Sequence, residues 1–367
     1  MFAYLVVFWS VVAIFLGTAS STCLFNLETT LRGKTPIVLV NGDIIDPKNR
    51  MGDIELQNTD QVQFLCSGEK NFLINRTTVG RLATATCNAG KFILHGGLGT
   101  YTFNDLKCHQ LPQPALQEVQ GKLCNRGSKL IHLGFQLDSE TWLHKILLCF
   151  DPVILTTYWT KHQLRTTQYS CKTADVTTFK KDFFTDVDID TMYRRSGYDK
   201  GHLTPKCDFF SGAEKRMTFY YLNAGPQEKR FNEVNWRLLE AKIRDAPPKG
   251  RIVHIYTGTM KTKGFLNSTA HAIPIPLYFW KVVIDDRYGD GVAFVGINDV
   301  SNNLSSPCGL SICSELNWLS TVFIRNMSDY RNGKIDCCSV AVLRAIPQIQ
   351  VPEFTEFRGG VLKEFRN

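Results

Sequence analysis

Residues 198–203 read YDKGHL and are followed by Thr204 and Pro205. A glycine directly before a histidine lets the backbone bend sharply, so we expect the imidazole of His202 to project into a cleft. A neutral imidazole with an ordinary pKa of about 6.5 suits proton abstraction at neutral pH. The stretch therefore makes His202 a candidate general base, although a single loop histidine is more often structural or merely exposed.

A second polar pattern lies in the stretch that follows. It comprises three runs, LNAGPQ at 222–227, FNEVNW at 231–236 and LLE at 238–240. Its apolar residues recur at helical spacing and predict a helix at 228–246 with a buried stripe of Trp236, Leu239 and Ile243. Asn232 and Glu240 stand four residues before and after Trp236, on or beside this stripe. Inward polar groups cost about 1–3 kcal/mol without partners, so the pair predicts a core network or a functional site.

These runs together resemble the DNA/RNA non-specific endonucleases, a family with the ββα-metal fold. Four pieces carry the resemblance: D-K-G-H ending at His202, N-x-x-P-Q from Asn223, F-N ending at Asn232 and W-x-x-L-E ending at Glu240. YRRSGY at 193–198, YTG at 256–258 and the run from Ile273 to Lys281 are also similar to the family. The likeness covers roughly residues 130–360. The cysteine-rich layout is similar to secreted arthropod nucleases, including those that digest double-stranded RNA.

Carried over residue by residue, the resemblance implies hydrolysis of phosphodiester bonds in DNA, RNA or both, with a divalent cation. His202 would activate water as general base, and Asn232 would be the direct ligand to Mg²⁺, with Mn²⁺ or another divalent cation as the alternative. Glu240 would orient metal-bound water, Asn223 would hydrogen-bond near the phosphate, and Asp199 would hold the loop. Cleavage would leave 5′-phosphate ends with little sequence preference, because such a cleft contacts the nucleic-acid backbone.

Lys200 departs from the family, which usually has arginine at this position. Lysine keeps the positive charge but loses the bidentate fork towards phosphate. The family also has a basic residue upstream for transition-state charge, and the candidates here are Lys181 and Lys180. Lys200 supports an alternative function, a catalytically weakened extracellular protein that binds nucleic acid or another polyanion. The retained base, ligand and carboxylate positions favour the enzyme.

Outside the motifs, the sequence predicts an α+β protein in two parts. Residues 23–125 carry short apolar runs and turn residues, which predicts a disulfide-rich β module of five to eight strands. Residues 110–121, with two prolines, are the predicted linker. The nuclease domain is expected at 130–365. Strands are predicted within it at 130–160, 251–258 and 274–298.

Composition limits the class of protein. The 367 residues are 44% hydrophobic and 21% charged, which is ample for a packed core and excludes a disordered chain. Lys and Arg exceed Asp and Glu by 42 to 34, and the net charge of +8 is compatible with an anionic partner. The basic residues between 229 and 251 either follow a phosphate backbone or form a solvated helix face; both interpretations stay open.

Residues 1–19 contain no charged side chain and include an apolar run that ends in small residues. A spanning helix needs about 20 apolar residues, so a cleaved signal peptide is favoured over a signal anchor. Four N-x-[ST] sequons, at Asn75, Asn267, Asn303 and Asn326, are compatible with glycosylation. We therefore expect a secreted protein without stable membrane association; the sequence leaves its oligomeric state open.

The twelve cysteines all follow residue 19, and their even number predicts up to six disulfides in an oxidising compartment. The sequence contains no C-x-x-C pair of the kind that binds zinc, so the cysteine spacing does not indicate a metal site. Cys337 and Cys338 are adjacent and cannot easily pair with each other, so Cys308 and Cys313 are their expected partners.

Overall fold

The structure is a computed structural model. It describes seven segments of the chain: residues 22–27, 33–49, 51–75, 77–125, 127–167, 171 and 178–366. The predicted signal peptide at 1–19 lies outside the described residues. No helix of the described segments is long and apolar enough to cross a membrane.

The N-terminal part folds into a β module because turn residues interrupt its apolar runs at short intervals. Its described strands are β1 (Thr22–Asn26), β2 (Ile37–Val40), β3 (Asp43–Ile44), β4 (Asp53–Gln57), β5 (Gln61–Leu65), β6 (Leu73–Asn75), β7 (Thr77–Val79), β8 (Leu82–Asn88), β9 (Lys91–Leu94), β10 (Gly99–Tyr101) and β11 (Lys107–Cys108). The predicted five to eight strands were too few. Several strands have only two or three residues, too short to show an alternating apolar pattern.

The module is built from a six-stranded sheet in the order β10-β9-β8-β5-β2-β3, the pair β1-β4 and a three-stranded sheet β11-β6-β7. In β8, buried and partly exposed side chains alternate, as expected for a strand with one face on a core. Four aromatic rings pack together in that core, those of Phe25, Phe64, Phe92 and Phe103. The module therefore has its own aromatic core.

Ten further strands follow: β12 (Ala115–Asn125), β13 (Ser128–Gln136), β14 (Trp142–Asp151), β15 (Thr156–Arg165), β16 (Tyr198–His202), β17 (Ala224–Glu228), β18 (Ile252–Asn267), β19 (Ala272–Asp285), β20 (Gly291–Ile297) and β21 (Ile335–Cys338). Eight of them form one antiparallel sheet in the order β12-β13-β14-β15-β18-β19-β20-β21. The strands expected within 130–160, 251–258 and 274–298 are thus confirmed. The second half of the predicted linker is wrong, because residues 115–121 belong to edge strand β12.

The helices are α1 (Ile189–Ser196), α2 (Gly212–Met217), α3 (Lys229–Phe231), α4 (Arg237–Asp245), α5 (Thr321–Met327) and α6 (Val340–Arg344). A π-helical turn, Asn232–Trp236, joins α3 to α4, and we call the continuous helical segment 229–245 the cleft helix. Strands β16 and β17 pair antiparallel and lead directly into it. Two strands followed by a helix form the ββα unit, so the predicted α+β class is confirmed.

Six disulfides connect all twelve cysteines, as predicted: Cys23–Cys87, Cys66–Cys108, Cys124–Cys149, Cys171–Cys207, Cys308–Cys338 and Cys313–Cys337. The expected partners of Cys337 and Cys338 are therefore confirmed. These cross-links, within the module and beyond it, stabilise the fold mainly by restricting the unfolded chain.

The module packs against the large sheet. Leu39 and Leu65 share a hydrophobic core with Leu133 and Leu148, and Asp43 accepts a hydrogen bond from Lys145 across the contact. Burial of apolar side chains from both parts stabilises their association. The domain boundaries at 23–125 and 130–365 stay predictions.

Candidate active site

His202 is the last residue of β16, directly opposite Ala224 of β17. Gly201 precedes it inside the strand, so the predicted sharp bend at this glycine is wrong. The glycine is needed for space: a Cβ there would stand 2.0 Å from Oε1 of the fully buried Gln227. The glycine thus allows β16 and β17 to pair closely beneath the histidine.

Replacing this glycine has a predictable cost. Gly201→Ala should destabilise the protein by about 1–3 kcal/mol, the usual range for overpacking a filled interior. The free energy of unfolding in denaturant measures this loss. Gly264→Ala is the matched strand control, because its added Cβ meets only Ile275 Cδ1 at 3.7 Å. Equal stability of the two variants would contradict the packing explanation.

The imidazole of His202 lies between two aromatic rings, with centroid distances of 5.2 Å to Phe179 and 4.9 Å to Phe219. Its Nε2 is buried and has no hydrogen-bond partner among the described residues. Burial, and then the positive charge of Lys206, lower the pKa of His202 to about 4. The ring is therefore neutral at physiological pH, the state that a general base requires.

The cleft helix brings Asn232 and Glu240 to the same side. In an uninterrupted α-helix, positions eight residues apart point about 80° apart, and one inserted residue reduces this angle to about 20°. The π turn supplies that insertion between the two residues. The helix begins at Lys229, so Asn232 lies inside it and is not its N-cap. Trp236, Leu239 and Ile243 form the buried stripe as predicted.

Asp199 fixes the orientation of the Asn232 amide. Nδ2 of Asn232 donates a hydrogen bond to Oδ2 of Asp199 at 2.9 Å. An ionised carboxylate only accepts hydrogen bonds, so the amide must turn its nitrogen towards Asp199. Its carbonyl oxygen is left to act as an acceptor or ligand.

Glu240 stands beside a buried cationic group. Lys281 is almost fully buried, and its Nζ donates hydrogen bonds to Thr257 Oγ1 at 2.5 Å and to the Leu203 carbonyl at 3.5 Å. Burial raises the pKa of the Glu240 carboxyl, while the positive charges of Lys281 and Arg244 oppose that rise. The carboxyl is thus poised to gain or lose a proton near neutral pH.

The predicted residues His202, Lys200, Asp199, Asn232 and Glu240 line one cleft of about 1120 Å³. Among the described residues, five cationic side chains line it: Arg194, Lys200, Lys206, Arg237 and Arg244. Four carboxylates are interspersed with them: Asp190, Asp199, Glu233 and Glu240. A concave site with a neutral histidine, oxygen donors and an excess of cations suits a phosphate backbone.

Residues 126–341 match the model of a family described as DNA/RNA non-specific endonuclease. The chain belongs to this family. A salivary endonuclease of Lutzomyia longipalpis is 23% identical over 88% of this chain and 82% of its own length. Salivary protein Tsal2A of Glossina morsitans morsitans is 20% identical over 86% of this chain and 89% of its own length. A nuclease of Syncephalastrum racemosum is 31% identical over 29% of this chain and 41% of its own length.

Membership identifies the protein as a nuclease with the ββα-metal fold, and its site can be compared with the predicted roles. Asn223, expected near the phosphate, is fully buried and lies outside the residues that line the cleft. Its Nδ2 donates to the carbonyls of Thr204 and Thr218, and its Oδ1 accepts from Thr204 N. With both N–H groups of its amide bonded inside the protein, Asn223 holds the loop after His202, and a hydrogen bond from it to phosphate stays a prediction.

The two upstream basic candidates, Lys180 and Lys181, lie in different surroundings. Lys180 points away from the cleft and donates to Gln113 Oε1 at 3.0 Å and to the Tyr220 hydroxyl at 3.2 Å. Lys181 instead forms a salt bridge of 2.8 Å with Asp190, which lines the cleft. Lys181 therefore remains the candidate at the rim of the site, while Lys180 anchors the segment to the N-terminal part.

Sequence reasoning did not single out Arg244 as a site residue. This arginine lies one turn after Glu240, and its Nη1 donates to Oδ1 of the buried Asp208 at 2.9 Å. His162 holds the other oxygen of Asp208 through a 2.8 Å hydrogen bond. The spacing of one helical turn from Glu240 was a signal in the sequence that could have found Arg244.

The basic stretch at 229–251 is divided between the two interpretations. Arg237 and Arg244 line the cleft, whereas Arg251 is paired with Asp285.

The donor set fits a lightly held, hard divalent cation. The described residues contain no cluster of three or more His, Cys, Asp or Glu side chains that could hold a metal ion. The oriented amide oxygen of Asn232 and the Glu240 carboxylate offer oxygen donors on one side of the cleft. Mg²⁺ prefers few protein oxygens together with water and phosphate oxygens.

Proposed function

We propose that the protein is a secreted endonuclease that hydrolyses DNA, RNA or both with Mg²⁺ and little sequence preference. The observation that carries the proposal is the convergence of a neutral His202 with Asn232 and Glu240 in one cationic cleft. The ββα unit places the histidine on a strand and the two oxygen donors on the adjoining helix. Each group thus approaches a phosphodiester from a rigid element.

His202 acts as the general base. Its neutral imidazole accepts a proton from the attacking water, a step worth about 10²–10⁴-fold in rate. The aromatic rings of Phe179 and Phe219 hold the imidazole in one orientation. Arg244, fixed by Asp208, and the other cleft cations bind the phosphate and offset its developing charge.

Asn232 would hold the divalent cation through its amide oxygen, with Asp199 fixing the amide, and Glu240 would orient water next to it. When bound, Mg²⁺ would neutralise charge on the phosphate and on the leaving oxygen. Contacts with phosphates rather than base edges give little sequence preference, which supports both polymers as substrates. Secretion is supported by the six disulfides and by the salivary relatives.

The test compares wild-type protein on plasmid DNA and on double-stranded RNA, with Mg²⁺ and then with EDTA. Cleavage that EDTA abolishes and Mg²⁺ restores supports the proposal and ranks the two polymers as substrates. Binding of both polymers without cleavage would favour the alternative, a catalytically weakened polyanion-binding protein.

The acidic limb of the activity profile should follow Glu240 rather than His202. Glu240 works when ionised, and its raised pKa means that activity falls early as the pH decreases. His202 works when neutral and stays so down to its pKa of about 4. Values of kcat/KM from about pH 4 to 8, at Mg²⁺ below saturation, measure this limb. Glu240→Gln should lower the rate and move the limb to lower pH; an unmoved limb would contradict the assignment.

A further inference from the structure

Asp190, in the first turn of α1, lies where two lysines meet. Its Oδ1 accepts a hydrogen bond from Lys200 Nζ at 2.9 Å, and its Oδ2 lies 2.8 Å from Lys181 Nζ. The Tyr221 hydroxyl donates a third hydrogen bond to Oδ1. One carboxylate thus fixes two ammonium groups, each on a different oxygen.

Lys200 is also enclosed by aromatic rings. Its Nζ lies 4.8 Å from the ring centroid of Tyr221, 5.3 Å from that of Phe179 and 5.9 Å from that of Tyr193. Cation–π attraction holds an ammonium over such faces. Phe179 also packs on His202, so one ring contacts both side chains.

The two lysines keep N–H donors that Asp190 does not use. An ammonium has three N–H donors, and the bonds to Asp190 use one on Lys181 and one on Lys200. The carboxylate is ionised, because hydrogen bonds from Lys181 and Tyr221 hold its pKa well below the usual range. The trio therefore carries one net positive charge and several free donors. Without the carboxylate, two neighbouring ammonium groups would repel each other and separate.

We propose that Asp190 is a positioning residue that holds Lys181 and Lys200 as a pair on one substrate phosphate. The pair supplies two donors from two side chains where a single arginine would supply a bidentate fork. The inference rests on the proposed function of the cleft and deepens it. It accounts for lysine at position 200 without loss of a two-point phosphate contact.

The opposite interpretation makes the test sharp. If Asp190 instead competed with phosphate for the lysines, its removal would free them and strengthen nucleic-acid binding. Removing any carboxylate also makes the protein more positive, which by itself favours a polyanion. Positioning predicts the reverse sign, because Asp190→Asn loses binding although its net charge becomes more positive.

The experiment measures binding of a DNA duplex to protein carrying His202→Ala, so that cleavage does not interfere. Asp190→Asn in this background should bind about tenfold more weakly, and the slope of log affinity against log salt should fall by about one phosphate contact. Asp186→Asn is the matched control, an exposed carboxylate on the same segment and outside the cleft lining. It should bind as tightly as its parent or more tightly. Unchanged or tighter binding by Asp190→Asn would overturn the inference.

A double-mutant cycle distinguishes positioning from damage to α1. Once Lys181→Met and Lys200→Met are present, Asp190→Asn should cause no further loss, because no pair remains to be held. An equal loss in that background would refute the proposal. If Asp190→Asn fails to fold by thermal unfolding, the two lysine variants carry the test: coupled losses support a pair, and additive losses contradict it.

Different results would refute the proposed nuclease reaction and the proposed lysine pair. A wild-type protein that binds duplex without cutting it refutes the proposed reaction and leaves the lysine pair intact. A protein that cuts normally, but whose duplex binding is indifferent to Asp190→Asn, refutes the pair alone. If the pair exists, the weaker duplex binding of Asp190→Asn should appear in the active enzyme mainly as a raised KM at low salt.

Discussion

His202→Ala lowers kcat on DNA and on RNA by at least about 10²–10⁴-fold, the share of the rate that a positioned general base supplies. The expectation rests on the neutral state of the imidazole and on its place in the cleft. Duplex affinity should change little, because the neutral ring contributes no charge to phosphate binding. The loss should therefore appear in kcat, with KM nearly unchanged.

Single-turnover cleavage of a labelled duplex at saturating Mg²⁺ measures this loss without interference from product release. His95→Ala is the matched control, since His95 is exposed in the N-terminal module and hydrogen-bonds Thr86. Thermal unfolding of both variants checks that the aromatic pair around residue 202 still packs. A His202→Ala protein that retains a tenth of the wild-type kcat would exclude His202 as the base.

Much of the fold was accessible from the sequence because its signals are local. Apolar runs gave the strands of the large sheet, and the stripe of Trp236, Leu239 and Ile243 gave the cleft helix. Cysteine counting gave six disulfides and the partners of Cys337 and Cys338. The short strands of the module and the role of 115–121 as an edge strand depend on pairing with distant residues. No local period reports such pairing.

The site was predictable where one motif carries the chemistry, and less so where tertiary packing decides. His202, Asn232 and Glu240 reach one cleft as expected, but the π turn that aligns the last two has no signature in the sequence. Gly201 was assigned a bend, whereas the actual constraint is Gln227 on the paired strand. Such errors arise because a motif specifies residue types, while burial and partners decide what each residue does.

The surroundings of Asn223 were also not predictable from the motif. An asparagine near a catalytic histidine suggests a phosphate contact, yet all its hydrogen bonds go to backbone groups around Thr204 and Thr218. Asp190 was absent from the motif-based reasoning altogether. It gains its place only because α1 brings its carboxylate to Lys200, Lys181 and Tyr221. Supporting residues of this kind emerge from the folded protein.

Asn232→Ala removes the one amide oxygen that the cleft helix presents to a cation. We expect Mg²⁺ affinity to fall by more than about 10–100-fold, the range typical of losing even an indirect partner of a metal ligand. Asp199→Asn should have a smaller effect, because it keeps the ligand and only weakens its orientation: the new amide carries no charge and can present either its oxygen or its N–H groups to Asn232. The order of the two losses follows from the hydrogen bond between these side chains.

Calorimetric titration with Mg²⁺, and the Mg²⁺ concentration that gives half-maximal cleavage, measure the two losses independently. Asn302→Ala is the control, an exposed asparagine hydrogen-bonded to Asp299 far along the chain from the cleft helix. Binding of duplex in EDTA should be the same for Asn232→Ala and wild type, since the amide carries no charge. If Asn232→Ala binds Mg²⁺ as wild type does, the cation is held elsewhere. If Asp199→Asn loses more affinity than Asn232→Ala, the carboxylate itself is the ligand.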